Sequence, residues 1–480
     1  MQRHTKILAT LGPATDAPGV LHKLLAAGVD VVRLNFSHGS ADDHRQRVAA
    51  VRKVAAELQR DIAVLGDLQG PKIRIDCFAE GSVELKEGQP FALDTAWPAD
   101  AGTAEVVGIT YKALPQDVSA GDTLLLNDGA ISLKVDSVTD TRVQCSVLLG
   151  GRLSDRKGIN RLGGGLSAAA LTEKDFADIR LAAELGVDFL AVSFPRSAAD
   201  IEEARWALLE TGAEAQIMAK IERAEAIERL EEIVAASDAV MVARGDLGVE
   251  IGDAELPGVQ KRLIAMAREM NRMVVTATQM MESMIENPIP TRAEVLDVAN
   301  AVMDGSDAVM LSAETAAGQY PVKAVEAMCR VCVGAERQAV VERDAHLAAQ
   351  HFEHTDEAIA MATVYTAKNM SAKAIVALTE SGGTAVRISR HGLKIPIYAL
   401  TRHDSTRRRM ALCRGVFPID FDPSQLETLT PIREAMACLK GRGLLQDGDR
   451  ILMTKGDFAG PGGTNGMKIV TVGEHELKSN

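Results

Sequence analysis

Short apolar runs alternate with amphipathic stretches at the start of the chain. Residues 6–9 predict a strand, Gly12-Pro13 a turn, and 17–27 a helix stopped by Gly28. A second strand at 31–34, a second helix at 42–59 and a third strand at 62–65 follow. Apolar strands separated by helices of 3.6-residue period imply a parallel sheet. From Lys72 to Leu171 the pattern changes. Short alternating runs at 82–85, 123–126, 131–135 and 142–148 are punctuated by Gly88 and by Asp128-Gly129, which reads as a hairpin turn. A β-rich module is therefore expected as an insertion. After Thr172 the earlier rhythm returns, with strands at 189–192, 217–219, 239–242, 273–275 and 308–311. Helices at 173–185, 201–210, 224–235, 259–270 and 292–303 separate or follow them. Three strands before the insertion and five after it predict a (β/α)8 barrel.

A polar, His-rich stretch at 343–355 leads into another α/β series. It has a helix at 357–369 and strands at 374–378, 397–400, 416–419, 451–453 and 468–472. The expected fold class is thus α/β: a TIM barrel with an inserted β-rich lid and a C-terminal open-sheet domain. The barrel would take residues 1–71 and 171–345, the lid 72–170, and the last domain 346–480. The length of 480 residues agrees with about three domains of roughly 150 residues each.

The net charge of −13 argues against a nucleic-acid binder. Sixteen aromatic residues make a base-stacking or carbohydrate-binding face improbable. No apolar run reaches the roughly 20 residues that span a bilayer, and 7–11 is too short for a signal sequence. A cytoplasmic protein is expected. Six cysteines are too few for a disulfide framework, and Cys329 and Cys332, in a helical pattern, read as buried reduced thiols.

In a (β/α)8 barrel the active site lies at the C-terminal ends of the strands. Those ends carry Arg33, Asn35 and Ser37; Asp67; Ser193; Lys220 and Glu222; Arg244 and Asp246; Thr276 and Thr278; and Ser312 and Glu314. Many stand two residues apart, on one face of an extended segment. A solvated turn explains any one of them more readily than the whole set. Glu222 and Asp246, from adjacent strands with no His or Cys nearby, suit Mg²⁺ or Mn²⁺. Lys220, Arg33 and Arg74 add positive charge, as phosphoryl transfer needs. Walker and dinucleotide glycine motifs are absent, so a nucleotide would be held in a cleft between barrel and insertion.

At this point the segments VVRLNFSHG (31–39), GDLQGPKIR (66–74), KGIN (157–160), MAKIERAEA (218–226), MVARGDLGVEI (241–251), TATQMMESM (276–284) and the run 290–315 together resemble pyruvate kinase, most closely the bacterial type II form. The resemblance implies phosphoryl transfer from phosphoenolpyruvate to ADP, giving pyruvate and ATP, in a homotetramer regulated through the C-terminal domain. It implies that Arg33 and Lys220 contact the transferring group and that Glu222 and Asp246 bind Mg²⁺. The Gly245 and Asp246 N–H groups, with Thr278, would hold the substrate carboxylate. Asn35, Phe36, Ser37, His38, Arg74 and Lys157 would touch ADP or ATP. Thr278 and Ser312 would organise a water that protonates the enolate. Lys157 as a solvated loop lysine and Met280, Met281 and Met284 as packing are the plainer readings of those residues.

Two departures from the family pattern stand out. Where many members read DTKGPEIRT and need K⁺, this chain has Leu68 for the threonine and Lys72 for the glutamate. The Lys72 ammonium is expected to replace K⁺, although Asn35, Ser37 and Asp67 leave a weak cation site open. In the C-terminal domain Thr379-Glu380-Ser381-Gly382-Gly383-Thr384 lies between a strand and a helix and suits a phosphate. Gly456-Asp457-Phe458 replaces the Gly-Trp-Arg of fructose-1,6-bisphosphate-regulated forms. A monophosphate effector, a sugar phosphate or AMP, is expected. Arg407–Arg409 reads as a solvated helix face, with an effector contact as the alternative. A metal-dependent lyase or aldolase of pyruvate-like enolates would share Arg33, Glu222 and Asp246 but would not need Lys157 or the lid. A silent metabolite sensor would not need Lys220 at all.

Overall fold

The computed structural model describes residues 2–338, 352, 354–422, 431–456 and 463–474. Three strands open the chain: β1 (Lys6–Thr10), β2 (Val31–Asn35) and β3 (Ala63–Asp67). Eight strands follow in the inserted stretch: β4 (Ser82–Leu85), β5 (Pro90–Asp94), β6 (Val106–Gly108), β7 (Thr123–Leu126), β8 (Ile131–Val138), β9 (Arg142–Leu149), β10 (Gly151–Ser154) and β11 (Ile159–Arg161). The parallel series resumes with β12 (Phe189–Val192), β13 (Gln216–Ile221), β14 (Ala239–Ala243), β15 (Met273–Ala277) and β16 (Ala308–Leu311). Strands β1, β16, β15, β14, β13, β12, β3 and β2 close into a barrel in that order. Every residue of β1, β3, β14 and β15 is buried. Barrel strands are covered on both faces, which is why they read as continuous apolar runs.

Local signals start and stop the helices. Ser40 and Asp43 form a capping box for Ala41–Glu57, and Thr291 and Glu294 another for Arg292–Asp304, which ends at Gly305 with φ 102°. The helix expected over 17–27 starts only at Val20 and ends at Ala26, because Gly19 before it is left-handed at φ 76°; Pro13–Asp16, following the expected turn, forms a short helix of its own. The helix expected over 224–235 breaks at Arg229 into Ala224–Glu228 and Leu230–Ala236.

The chain divides into two compact units. One comprises Met1–Gly66, Leu185–Phe189 and Ile264–Asn480, and the other Asp67–Glu184 and Leu190–Leu263. The second unit contains the expected β-rich insertion. Its strands form a six-stranded sheet in the order β11-β7-β8-β9-β5-β6 and a two-stranded sheet, β10-β4. Phe91, Leu93, Val107, Leu124, Leu133 and Val143 are fully buried between them. Asp128-Gly129 is the turn of the antiparallel β7–β8 hairpin, with Asn127, Asp128 and Gly129 all at positive φ.

The first unit ends in a five-stranded sheet. Strands β17 (Ala374–Leu378), β18 (Ile397–Thr401), β19 (Val416–Asp420), β20 (Arg450–Gly456) and β21 (Thr464–Thr471) lie in the order β19-β18-β17-β20-β21. Four are parallel and β21 is antiparallel to β20. Residues 457–463 are too few for the crossover a parallel partner needs. Asp457, Phe458 and most of the His-rich 343–355 stretch lie outside the described residues.

Arg407 and Arg408 correct the expectation of a solvated helix face. Arg407 is buried and paired with Asp61 at 3.2 Å, Asp420 at 2.8 Å and Asp404. Arg408 meets Asp188 at 2.7 Å. Asp61 and Asp188 precede β3 and β12, so these arginines face carboxylates at the N-terminal side of the barrel strands rather than water. All six cysteines are free thiols. No helix among the described residues is long and apolar enough to cross a membrane.

Candidate active site

The strand ends of the second unit converge on Lys220. Lys220 and Glu222 stand two apart at the end of β13, so both side chains leave the same face. Lys220 Nζ lies 2.9 Å from Glu222 Oε1, 3.2 Å from Asp67 Oδ1, and donates to Ser193 Oγ at 2.7 Å. Lys220 is 9% exposed, and Glu222 and Asp67 are each 1% exposed. Ser193 Oγ in turn donates to Leu68 O at 2.8 Å, so ends of β3, β12 and β13 are stitched together around one ammonium.

Burial pushes the Glu222 carboxyl up to about 7. The Lys220 ammonium pulls it back, and the neighbouring Asp246 charge adds to the rise. A cation bound beside Glu222 would offset that repulsion. Oxygen-only donors with this charge suit a hard divalent ion, so Glu222 and Asp246 fit the metal expected there. Asp246 lies half-buried in the first turn of the helix Arg244–Ile251, which starts directly from β14. The Gly245 and Asp246 peptides are thus at a helix N-terminus, as expected.

The insertion's two connections to the barrel also meet in this unit. Arg74 pairs with Gly158 in an antiparallel bridge, and Ile75 N–H donates to Lys157 O at 2.9 Å. Arg74 Nη1 donates to Arg156 O at 2.7 Å. Arg74 and Lys157 therefore sit side by side on paired segments despite their separation in sequence. Lys72 is exposed on the stretch leading out of β3.

The first unit supplies the other strand ends. Arg33 Nη1 donates to Thr10 Oγ1 at 3.1 Å, and Thr10 Oγ1 donates to Leu311 O at 3.0 Å. Asn35 Oδ1 accepts the Ser37 N–H at 3.1 Å. His38 is exposed. Phe36 is buried edge-on against His44, 5.1 Å between ring centroids, so only its backbone is left for a ligand. At the end of β15, Thr278 and Gln279 have φ of 65° and 53°. Left-handed non-glycine residues cost about 1–3 kcal/mol each and cluster at functional sites. Glu314 braces this stretch, accepting N–H groups from Met281 at 3.1 Å and Ser312 at 2.7 Å. Ser312 Oγ is buried without a hydrogen-bond partner in the protein. Thr276 faces away from this set: it is fully buried and shares a hydrogen bond with Ser306. Met280, Met281 and Met284 are fully buried packing residues.

Thr10 and Phe194 were not anticipated. Thr10 closes the gap in the sequence reading, in which β1 alone lacked a polar strand end, and it lies one residue past the strand as read. Phe194 follows Ser193 at φ 57°, and nothing in its residue type announces that conformation.

In the C-terminal sheet, Gly382 is left-handed at φ 87° and its N–H donates to Thr379 Oγ1 at 2.9 Å. A Cβ on Gly382 would lie 2.7 Å from Met410 Sδ. Thr384 Oγ1 is buried against Thr464 Oγ1 at 2.6 Å. Ser381 is exposed, and the Glu380 carboxylate is paired with Arg402 and His403.

Two family models match the chain: the pyruvate kinase barrel domain over residues 2–325 and the pyruvate kinase alpha/beta domain over 357–470. Among curated proteins, pyruvate kinase II of Salmonella typhimurium is 54% identical over 475 residues, 98% of this chain and 99% of that one. A pyruvate kinase of Haemophilus influenzae is 54% identical over 458 residues, covering 95% and 96%. Among solved structures, a pyruvate kinase from Cryptosporidium parvum superposes with a TM-score of 0.91 at 35% identity, covering 98% and 96% of the two chains.

Proposed function

The chain belongs to the pyruvate kinase family, as a phosphotransferase between phosphoenolpyruvate and ADP, and from that premise we propose how its residues divide the work. The observation that carries the assignment is the Lys220 cluster, one ammonium shared by Asp67, Ser193 and Glu222. In a closed barrel of parallel strands the C-terminal strand ends carry the active site. Arg33 and Lys220 hold the transferring phosphoryl group. Thr278 and the Gly245 and Asp246 N–H groups hold the substrate carboxylate. Arg74, Lys157, Asn35, Ser37, His38 and the Phe36 backbone hold the nucleotide. Glu222 and Asp246 hold Mg²⁺ or Mn²⁺, which when bound supplies positive charge to the phosphoryl oxygens.

As the P–O bond to phosphoenolpyruvate breaks, negative charge grows on the enolate oxygen. The Lys220 ammonium is fixed in place to meet it before the reaction starts. The enolate then takes a proton at its methylene carbon. The buried Ser312 hydroxyl, lacking a protein partner, supports the reading that it orders the delivering water with Thr278. The enol form is much less stable than ketone pyruvate, so this step drives the reaction towards ATP.

Monovalent-cation independence follows from the departures in sequence. Leu68 brings no side-chain oxygen and is buried. Asn35 Oδ1 already accepts a backbone N–H, and Asp67 Oδ1 is engaged by Lys220. Lys72, on the adjoining loop, is left to supply the charge. A coupled assay of phosphoenolpyruvate plus ADP with Mg²⁺ is expected to give undiminished turnover in K⁺-free, tetramethylammonium buffer. Turnover that collapses without K⁺ and returns on its addition would refute this.

The Thr379–Thr384 loop, which leads into the helix Gly383–Ser389 and exposes Ser381, is the proposed effector site. A hexose or pentose monophosphate or AMP is expected to raise the rate at subsaturating phosphoenolpyruvate; fructose bisphosphate emerging as the strongest activator would rule the scheme out. The exposed Ile289, Leu296 and Met303, at 70, 66 and 40%, support a homotetramer that covers them. The proposed domain boundaries remain 1–71 and 171–345 for the barrel, 72–170 for the lid and 346–480 for the effector domain, in a cytoplasmic enzyme.

A further inference from the structure

Glu222 is held by both carboxylate oxygens, and the two restraints differ in kind. Oε1 faces Lys220 Nζ at 2.9 Å. Oε2 accepts the backbone N–H of Phe194 at 3.0 Å. That N–H belongs to a phenylalanine in the left-handed region, at φ 57°, a conformation a bulky residue keeps only when its surroundings enforce it.

The surroundings are specific. A Cβ on Gly70 would lie 2.9 Å from Phe194 Cδ2, 3.0 Å from Ser193 Cβ and 3.1 Å from Ser193 O. Glycine at position 70 thus lets the Phe194 ring settle against the backbone leaving β3. The Arg223 guanidinium lies over the ring, 5.7 Å from its centroid, and is itself buried and tied to Leu166 O at 3.2 Å. Phe194 also follows Ser193, whose hydroxyl is fixed by Lys220 and Leu68. The strained peptide is locked from both sides.

We propose that Phe194 is a positioning residue for the metal carboxylate: its ring, seated on Gly70 and under Arg223, fixes a left-handed peptide whose N–H sets the orientation of Glu222. This inference rests on Glu222 being a metal ligand. Outer partners that orient a ligating carboxylate change metal affinity directly, whereas a purely structural phenylalanine would change stability alone.

The test titrates the full-length enzyme with Mn²⁺ alone, counting free ion by electron paramagnetic resonance, alongside thermal unfolding. Phe194→Gly keeps the N–H and allows the left-handed conformation but removes the ring. It is expected to weaken Mn²⁺ binding about tenfold, while Phe194→Tyr, which keeps the ring, stays within about twofold. A second variant replaces the residue-194 peptide by an ester, using phenyllactate, so that the ring stays and the N–H is lost; a similar tenfold loss is expected. Wild-type Mn²⁺ affinity in a folded Phe194→Gly, or in the ester variant, overturns the proposal. If Phe194→Gly does not fold, the ester variant decides alone. Glu222→Gln separates this proposal from the premise beneath it: unchanged Mn²⁺ binding there means that Glu222 is no ligand, whatever Phe194 does.

Discussion

Lys220→Met is expected to fold, at reduced stability because the buried Asp67 and Glu222 lose their shared cation, and to lose about three orders of magnitude in kcat, the scale of removing one preorganised charge from a developing oxyanion. Methionine matches the length and bulk of the lysine stem, so the packing at the end of β13 survives. What disappears is the one ammonium facing Asp67, Ser193 and Glu222. The KM for ADP should move little, because Lys220 is assigned to the phosphoryl group and not to the nucleotide. Metal binding should persist, since deleting a cation beside Glu222 removes repulsion from an incoming divalent ion. Steady-state kinetics with a Mn²⁺ titration and circular dichroism of the variant check all three. A folded Lys220→Met within tenfold of the parent kcat would show that the ammonium does not carry the transition-state charge. Lys220→Arg is no rescue, because the planar guanidinium cannot stand in for a compact point charge in so closed a pocket.

The barrel was legible because its strands are short apolar runs with polar residues at their C-terminal ends, and both features follow from burial on two faces. Lys220 and Glu222 were legible for the same reason, since a spacing of two on a strand dictates a shared face. Asp67 and Ser193 were visible as strand ends, but their convergence on one ammonium depends on barrel order, which sequence spacing does not contain. Backbone conformation was hidden altogether. Thr278, Gln279 and Phe194 are left-handed, and no propensity of these residue types encodes that. The error over Arg407 and Arg408 has the same origin. A run of three arginines on a short helix reads as solvated until the topology brings Asp61 and Asp188 opposite it.

Those arginines belong to a wider pattern at the N-terminal side of the barrel strands. Asp188 accepts from Arg408 at 2.7 Å, from Arg52 at 3.0 Å and from Val64 N–H at 2.8 Å. Asp307, just before β16, accepts from Val274 N–H and Arg414 N–H, both at 2.9 Å, and from Arg390 at 2.8 Å through Nη1 and again through Nη2. Each carboxylate ties strand-start backbone to an arginine from the C-terminal segment. These ion pairs lie at the N-terminal ends of the strands, the end at which this fold carries stability rather than catalysis.

Arg390→Met should accordingly be the most destabilising single change outside the active site, costing about 3–5 kcal/mol, the penalty for removing one partner of a buried ion pair. Asp307 is 1% exposed, and burial alone would raise its carboxyl. The Arg390 guanidinium, together with the Arg414 and Val274 N–H groups, more than offsets that and holds the group below its ordinary value. Without the arginine the carboxylate keeps two N–H donors but loses its compensating charge, in a place water does not reach. Asp307→Asn alone should be nearly as damaging, because it strands the buried guanidinium. The double variant should cost clearly less than the sum of the two, since no lone charge is then buried. Urea unfolding followed by circular dichroism for the parent, both single variants and the double variant closes the cycle. Strict additivity, or a loss below about 1 kcal/mol for Arg390→Met, would mean that the pair is not what fastens the C-terminal segment to the start of β16. The pH dependence gives an independent sign. A depressed carboxyl contributes stability that is complete above its unfolded value, near 3.9, and vanishes as the pH falls through its folded value. The parent should therefore lose this contribution on acidification, while Asp307→Asn, having none to lose, should show a shallower acid dependence than the parent.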